Sequence, residues 1–302
     1  MPSFDVALLT DRRYTADVAE EGDWYLANIL HDDRLLGETL AARGLTFRRV
    51  AWDDPTLDLN RFRCAVFRTT WDYFERFHEF RDWFERNASA TRWFNPLETV
   101  RWNLDKHYLH DLERRGATIV PTAYLESGDE VTLAEALESN GWREAIVKPC
   151  ISGGAWQTYR VRPENAVEID RLIAPIRSDQ AFLVQPFVPS IQTEGEITIV
   201  GIRGQATHAV RKRAKAGDFR VQDDHGGTVH QHDATPEEVA FAERVFAACD
   251  ECPLYGRVDL VRLDDGSLAV MELELVEPEL WLRFHPPAAA AFGNALADAL
   301  VD

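Results

Sequence analysis

Tyr255-Gly-Arg257-Val-Asp259-Leu-Val-Arg262-Leu263-Asp264-Asp265-Gly266-Ser267-Leu268-Ala-Val-Met271-Glu272-Leu273-Glu274-Leu275 reads as two apolar strands joined at Asp-Gly. That dipeptide between alternating hydrophobic runs is the strongest short-range hairpin signal, because its turn accepts positive φ and matches the twist of the strands. With Asp265 and Gly266 at the centre, Asp264 faces Ser267, Asp259 faces Glu272 and Arg257 faces Glu274. Side chains alternate along a strand, so these last four share one face while Leu260, Leu273 and Leu275 take the other. A slip of two residues keeps them together. Carboxylates at adjacent cross-strand positions repel one another unless a cation lies between them. Clustered hard oxygens suit magnesium, which takes a few carboxylates together with substrate phosphates. A solvated face with Arg257 as counter-ion explains the same pattern, so the decision rests on the sequence upstream.

Ala145-Ile-Val-Lys148-Pro149 is a strand ending in lysine, followed by Ser152-Gly153-Gly154. Small residues after a strand let backbone N–H groups approach phosphate oxygens, and the lysine adds charge, although Ser-Gly-Gly is also an ordinary turn. Lys106 stands in a helical stretch with His107 and Asp111, where it reads equally as a surface lysine. Arg211, Lys212, Arg213, Lys215 and Arg220 form the densest basic run of the chain, able to grip a polyphosphate or simply to face solvent. Gln185-Pro186-Phe187-Val188-Pro189 is a stiff connector after a strand, with a backbone edge that could pair with a base. Glu194 and Glu196 follow, either of them a candidate acceptor for sugar hydroxyls or a plain loop acid.

The outer frame is that of an ordinary globular protein, with 302 residues, 45% hydrophobic and 11% aromatic. Fifty-one acids against 33 bases leave a net charge of −18, which opposes non-specific binding to nucleic acid or anionic lipid. Neither an export signal nor a run of membrane-spanning length is apparent, and the four cysteines make no disulfide framework, so a reducing cytoplasm is the expected location. Strand-like and helix-like segments alternate up to about residue 100, as in a small parallel sheet flanked by helices. A central lobe is expected over 101–186 and a strand-rich lobe over 187–302, including a helix over 236–248. The expected class is therefore α/β, a small parallel α/β domain followed by two α+β lobes. In the first domain Phe67-Arg68-Thr-Thr-Trp71-Asp72-Tyr73 leaves a strand at its carboxyl end, where such sheets bind ligands. Arg68 there could clasp a carboxylate or sit in a structural ion pair.

Taken in order, Lys106, Val147-Lys148-Pro149, Ser152-Gly153-Gly154, Gln185-Pro-Phe-Val188, Gly195-Glu196, Arg257-Val-Asp259 and Glu272-Leu-Glu274 resemble the ATP-grasp superfamily from Lys106 to Glu277. The resemblance implies that the nucleotide lies between two lobes, behind a preceding α/β domain. Lys106 and Lys148 would hold the α- and β-phosphates under the 152–154 loop, with Arg211 and Lys212 nearby. Gln185, Phe187 and Val188 would meet adenine, and Glu196 or Glu194, the former favoured, the ribose. Asp259, Glu272 and Glu274 would bind two magnesium ions, or manganese in their place. Arg257 and Arg220 would stabilise charge on the transferring phosphoryl and acyl oxygens. Many relatives carry asparagine where Glu274 stands and glutamate where Gln185 stands. The run from Met271 to Leu280, with Phe67 to Tyr73, looks like that of the O-ureido-D-serine cyclo-ligases, which close the ring of the antibiotic D-cycloserine. Arg68, Trp71, Asp72, Tyr73 and Glu277 would then face an amino-acid-like substrate.

The implied chemistry is an ADP-forming carbon–nitrogen ligation through an acyl phosphate, within one molecule or between two as in glutathione synthetase or D-alanine:D-alanine ligase. It needs positioning and charge neutralisation rather than a protein nucleophile, and no Ser/His/Asp or Cys/His set stands out. Other readings are a zinc hydrolase built on His225, His230, His232 and Asp233, and a nucleotide sensor without turnover. Cys249 and Cys252 form a lone CxxC, read as two semi-buried thiols. The partner is a small molecule; whether the chain forms a homo-oligomer is left open.

Overall fold

The computed structural model describes residues 2–215, 217–221 and 226–301. Its first sheet takes β1 (Phe4–Thr10), α1 (Trp24–Ala42), β2 (Phe47–Ala51), β3 (Phe62–Thr69), α2 (Phe77–Asn87) and β4 (Arg92–Phe94), with the strands parallel in the order β2-β1-β3-β4. Parallel strands are covered on both faces, which is why β1 and β3 are nearly continuous apolar runs. Val6, Leu8 and Val66 look toward α1, whereas Ala7, Leu9 and Phe67 look toward the aromatic face of α2 built by Phe80, Trp83 and Phe84.

The chain then passes through α3 (Leu97–Leu104) and α4 (Tyr108–Arg114) into β5 (Ala123–Leu125), α5 (Leu133–Asn140), β6 (Ala145–Pro149), β7 (Tyr159–Val161), α6 (Ala166–Arg177) and β8 (Phe182–Pro186). These strands form an antiparallel sheet in the order β5-β8-β6-β7. α5 begins with a Thr132/Glu135 capping box and stops at Gly141, whose φ of 68° closes the helix. Lys106 departs from expectation, lying in the break between α3 and α4 rather than within a helix. Its N–H donates to the Cys150 carbonyl at 3.0 Å, and that bond across to the end of β6 takes the place of a helical one.

The third sheet follows α7 (Ser190–Thr193) and contains β9 (Glu196–Ile202), β10 (Gln205–Arg213) and β11 (Thr228–His232), then, beyond α8 (Pro236–Ala247), β12 (Tyr255–Arg262) and β13 (Leu268–Glu274). It is antiparallel in the order β11-β10-β9-β12-β13. α9 (Pro286–Val301) closes the described chain by returning to α1, so close that a Cβ on Gly293 would lie 2.7 Å from Thr39. Phe292 and Leu296 of α9 share one core with Leu36, Leu40, Val66, Val200 and Tyr255, which joins the first sheet to the third. Among the described residues no helix is long and apolar enough to cross a membrane.

The hairpin of β12 and β13 differs from its expected form at the tip. Leu263 N–H donates to Ser267 O at 2.9 Å, Gly266 N–H donates to Leu263 O at 2.8 Å, and Gly266 has φ 86°. The loop thus holds three residues, 264–266, not two, and Asp264 does not face Ser267. Near the tip Leu260 pairs with Val270, one residue away from the expected register. Met271 is then an extra residue, a β-bulge, and beyond it Asp259 faces Glu272 and Arg257 faces Glu274. Two departures of one residue cancel at the acids. The bulge also re-aims a side chain, so that Met271 and Glu272 in succession face one cavity.

Candidate active site

The three sheets converge on a cavity of about 590 Å³. Its floor is a lattice of opposite charges. Lys106 Nζ donates to Ser152 O at 2.5 Å and lies 3.1 Å from Glu272 Oε1, while Lys148 Nζ is 3.4 Å from Glu272 Oε2. Lys212 Nζ lies 3.0 Å from Asp259 Oδ2 and also pairs with Glu196. Arg257 donates to Asp259 at 2.9 Å and to Glu274 at 2.5 Å, and Thr198 Oγ1 donates to Asp259 at 2.6 Å. Alternation in β9, β10, β12 and β13 brings Glu196, Thr198, Lys212, Arg257, Asp259, Glu272 and Glu274 to one face. Asp259, Glu272 and Glu274 each offer an oxygen within 4.8 Å of the others, as ligands of a shared cation would.

Electrostatics separates the acids. Burial alone would raise Glu272, but Lys106, Lys148 and Arg257 outweigh it and hold that carboxyl below its ordinary value. Glu274 is pushed up to about 7 by burial and by Glu272 and Asp259, against the pull of Arg257. Burial raises Glu196 despite Lys212, and raises Glu277 far above the usual carboxylate range with Glu274 adding to the effect. Burial and mutual repulsion thus favour the neutral forms of Glu274, Glu196 and Glu277, while the lysines and Arg257 keep Glu272 and Asp259 ionised.

The upper wall comes from the first sheet. Tyr14 after β1, Tyr25 on α1 and Trp71 after β3 pack with ring centroids 5.6 to 6.0 Å apart, and Trp71 Nε1 donates to Glu277 O at 2.9 Å. Arg13 and Glu279 line the same side, and Trp281 lies under Arg257 at 5.2 Å. The glycine-rich loop after β6 leans on Phe74: a Cβ on Gly153 would meet that ring at 2.7 Å, and Trp156 lies 5.7 Å from it. Pro186, Val188, Ile146 and Met271 give the cavity an apolar end, beside which Gln185 donates to Thr122 Oγ1 at 3.0 Å.

Residues 6–95 match the model of the D-cycloserine synthetase DcsG N-terminal domain, and residues 145–279 match that of the RimK-like ATP-grasp domain. The cycloserine biosynthesis protein DcsG of Streptomyces lavendulae is 34% identical over 278 residues, covering 85% of this chain and 90% of that protein. The chain belongs to the D-cycloserine synthetase family. A crystal structure of D-cycloserine synthetase superposes with a TM-score of 0.84 at 32% identity, over 98% of this chain and 99% of that one. The D-alanine–D-alanine ligase of Bacillus anthracis complexed with ATP gives a TM-score of 0.68 at 14% identity, over 99% and 97%, a likeness of fold. A RimK domain ATP-grasp protein of Sphaerobacter thermophilus gives 0.67 at 19%, over 96% and 98%, likewise of fold. The protein is accordingly an ATP-dependent ligase of ATP-grasp fold.

Not every residue expected at the site of this synthetase relative lies there. Lys106, Lys148, Ser152, Gly153, Gly154, Gln185, Val188, Glu196, Lys212, Arg220, Arg257, Asp259, Glu272, Glu274, Trp71 and Glu277 line the cavity, with Arg220 also paired to Asp218 at 2.8 Å. Phe187 turns away: its ring lies under the Arg160 guanidinium at 3.9 Å and its N–H donates to Glu144 O at 3.0 Å. Glu194 is exposed and accepts at its carbonyl from Arg211, which alternation places on the face of β10 opposite Lys212. Arg68 is buried against Asp33 at 3.0 Å, Asp72 accepts from Trp52 and Arg76, and Tyr73 is a core residue. The three therefore stand behind the cavity wall rather than in it. His232 pairs with Glu238 and His230 bonds Thr228, so among the described residues no histidine cluster forms; His225 lies outside them. Cys249 is buried and Cys252 exposed, both as free thiols. Arg13, Tyr14 and Tyr25 carry no local motif in the sequence, though their position beyond the carboxyl end of β1 is where parallel sheets place ligands.

Proposed function

We propose that the protein phosphorylates the carboxylate of a small amino acid with ATP and lets a nitrogen of the same molecule displace the phosphate, closing a ring as in the conversion of O-ureido-D-serine to D-cycloserine. The observation that carries this reading is the convergence of Lys106 and Lys148 on Glu272, beside Asp259 and Glu274, under an aromatic wall from the first sheet. The substrate itself is inferred from the likeness to DcsG along most of both chains. Division into domains 1–100, 101–186 and 187–302 fits this arrangement, the first on the amino-acid side.

Glu272 pairs with both lysines. Triphosphate oxygens are stronger partners for two ammonium groups, so nucleotide binding would draw Lys106 and Lys148 onto the phosphates and release Glu272. The freed carboxylate, with Asp259 and Glu274, has the hard oxygen chemistry that suits magnesium, two ions in our reading, with manganese as substitute. Such ions would supply neutralisation of the charge that develops on the transferring phosphoryl group. Arg257 and Arg220 would offset charge on the acyl and phosphoryl oxygens, and Lys212 holds Asp259 and Glu196 in place. Glu196 would accept from ribose hydroxyls, while Val188, Met271 and the edge by Gln185 would take the base. Trp71 and Glu277, with Tyr14 and Tyr25, would receive the amino acid, and the 152–154 loop would keep water from the acyl phosphate.

The test is ADP release with magnesium–ATP and O-ureido-D-serine, with mass spectrometry of the product. Formation of D-cycloserine supports the reading. ADP formed only when a second amino acid is added would replace ring closure by joining of two molecules, and ATP binding without ADP across a panel of amino acids would leave a sensor.

A further inference from the structure

Outside the cavity, the turn that carries Lys106 holds a second cluster of ligating side chains. Asp105, His107 and Cys150 each present one donor atom within 4.8 Å of the others, and none of the three lines the cavity. His107 Nδ1 stands 2.6 Å from Asp105 Oδ1, and its Nε2 stands 3.1 Å from Glu126 Oε1. The imidazole is held flat on Tyr124, centroids 4.1 Å apart, and the Tyr124 hydroxyl donates to Lys106 O at 2.9 Å. Cys150 is a buried free thiol at the end of β6, and its carbonyl accepts from Lys106 N–H.

We propose that Asp105, His107 and Cys150 bind zinc at a site separate from the carboxylate cluster of the cavity. One carboxylate oxygen, one imidazole nitrogen and one sulfur are zinc's ordinary ligands, with a fourth position left for water. Glu126 stands where the partner of a metal-bound imidazole is found, accepting from the ring nitrogen that does not bind. The ion would take the place between His107 Nδ1 and Asp105, expel the Cys150 thiol proton to solvent, and leave the remaining imidazole N–H on Nε2 toward Glu126. The two clusters sort ions by softness: magnesium has no affinity for thiolate, while zinc gains from it. Two zinc ligands flank Lys106 and the third residue accepts its N–H, so the ion would tie the Lys106 turn to the end of β6.

Metal-stripped full-length protein titrated with cobalt(II) tests this directly. The expected result is a near-ultraviolet thiolate-to-cobalt band saturating at one equivalent, displaced by zinc and indifferent to excess magnesium. Cys150→Ser should abolish the band, Glu126→Gln should weaken cobalt affinity about tenfold, and Glu272→Gln should keep both band and affinity. Absence of the band overturns the site, as does its displacement by magnesium or its survival in Cys150→Ser, which would assign it to Cys249 and Cys252. Should Cys150→Ser not fold, His107→Gln decides: a tenfold or greater loss of affinity supports the site, and unchanged affinity overturns it.

Discussion

Glu272 is a carboxylate with two lysine partners, and Arg68 is a guanidinium committed to one acid. Substituting the first should affect turnover, and the second stability. Glu272→Gln should lower ADP formation at least about a hundredfold, the scale seen when charge stabilisation is removed from a transition state, while circular dichroism still shows a folded chain. Lys148→Ala should raise the Michaelis constant for ATP roughly tenfold, the worth of one charge-assisted hydrogen bond, and leave that for the amino acid unaltered. Arg68→Ala should cost about 1–3 kcal/mol in urea unfolding, the range for a buried acceptor losing one donor while Asp33 keeps Arg49 at 2.9 Å, with both Michaelis constants unchanged in the folded protein. The acids of the hairpin were readable because alternation fixes a face within a few residues. Arg68 was not, since its partner Asp33 lies 35 positions away on α1 and no local pattern distinguishes it from a substrate.

Elements with a strong period were equally readable: α8 and the two strands of the acidic hairpin lie where spacing puts them. The three-residue strands β4, β5 and β7 are too short to show alternation, and α9, alanine-rich and packed among α1 and the first and third sheets, lacks the polar stripe that marks a surface helix. Lys106 reads as helical beside His107 and Asp111, and the break between α3 and α4 becomes visible only through the bond of its N–H to Cys150 O. On β10, His208 Nε2–H donates to Leu280 O at 2.9 Å and the ring stacks on His285, and burial pushes its imidazole down to about 4. A group depressed in the folded state from an ordinary value near 6.5 contributes fully above that pH, and its contribution is lost as pH falls toward 4. Across that window the unsubstituted protein should lose up to about 3 kcal/mol more than His208→Gln, read from urea unfolding of both at matched pH.

At the scale of the molecule, the −18 charge repels a triphosphate while the cavity concentrates Lys106, Lys148, Lys212 and Arg257 to receive it. The convergence of those cations with Tyr14, Tyr25 and Trp71 depends on how three sheets stack, which no window of sequence contains. The tie between first and third sheets is α9. Gly293→Val should push α9 off Thr39 and cost about 1–3 kcal/mol in thermal unfolding, the range for overpacking, with the Michaelis constants unmoved. Phe74, three residues beyond Trp71, props the glycine-rich loop through Gly153 and Trp156. On the proposed reading, the loop over the nucleotide thus leans on the lobe that would receive the amino acid, so one stack of rings joins the two reactant sites.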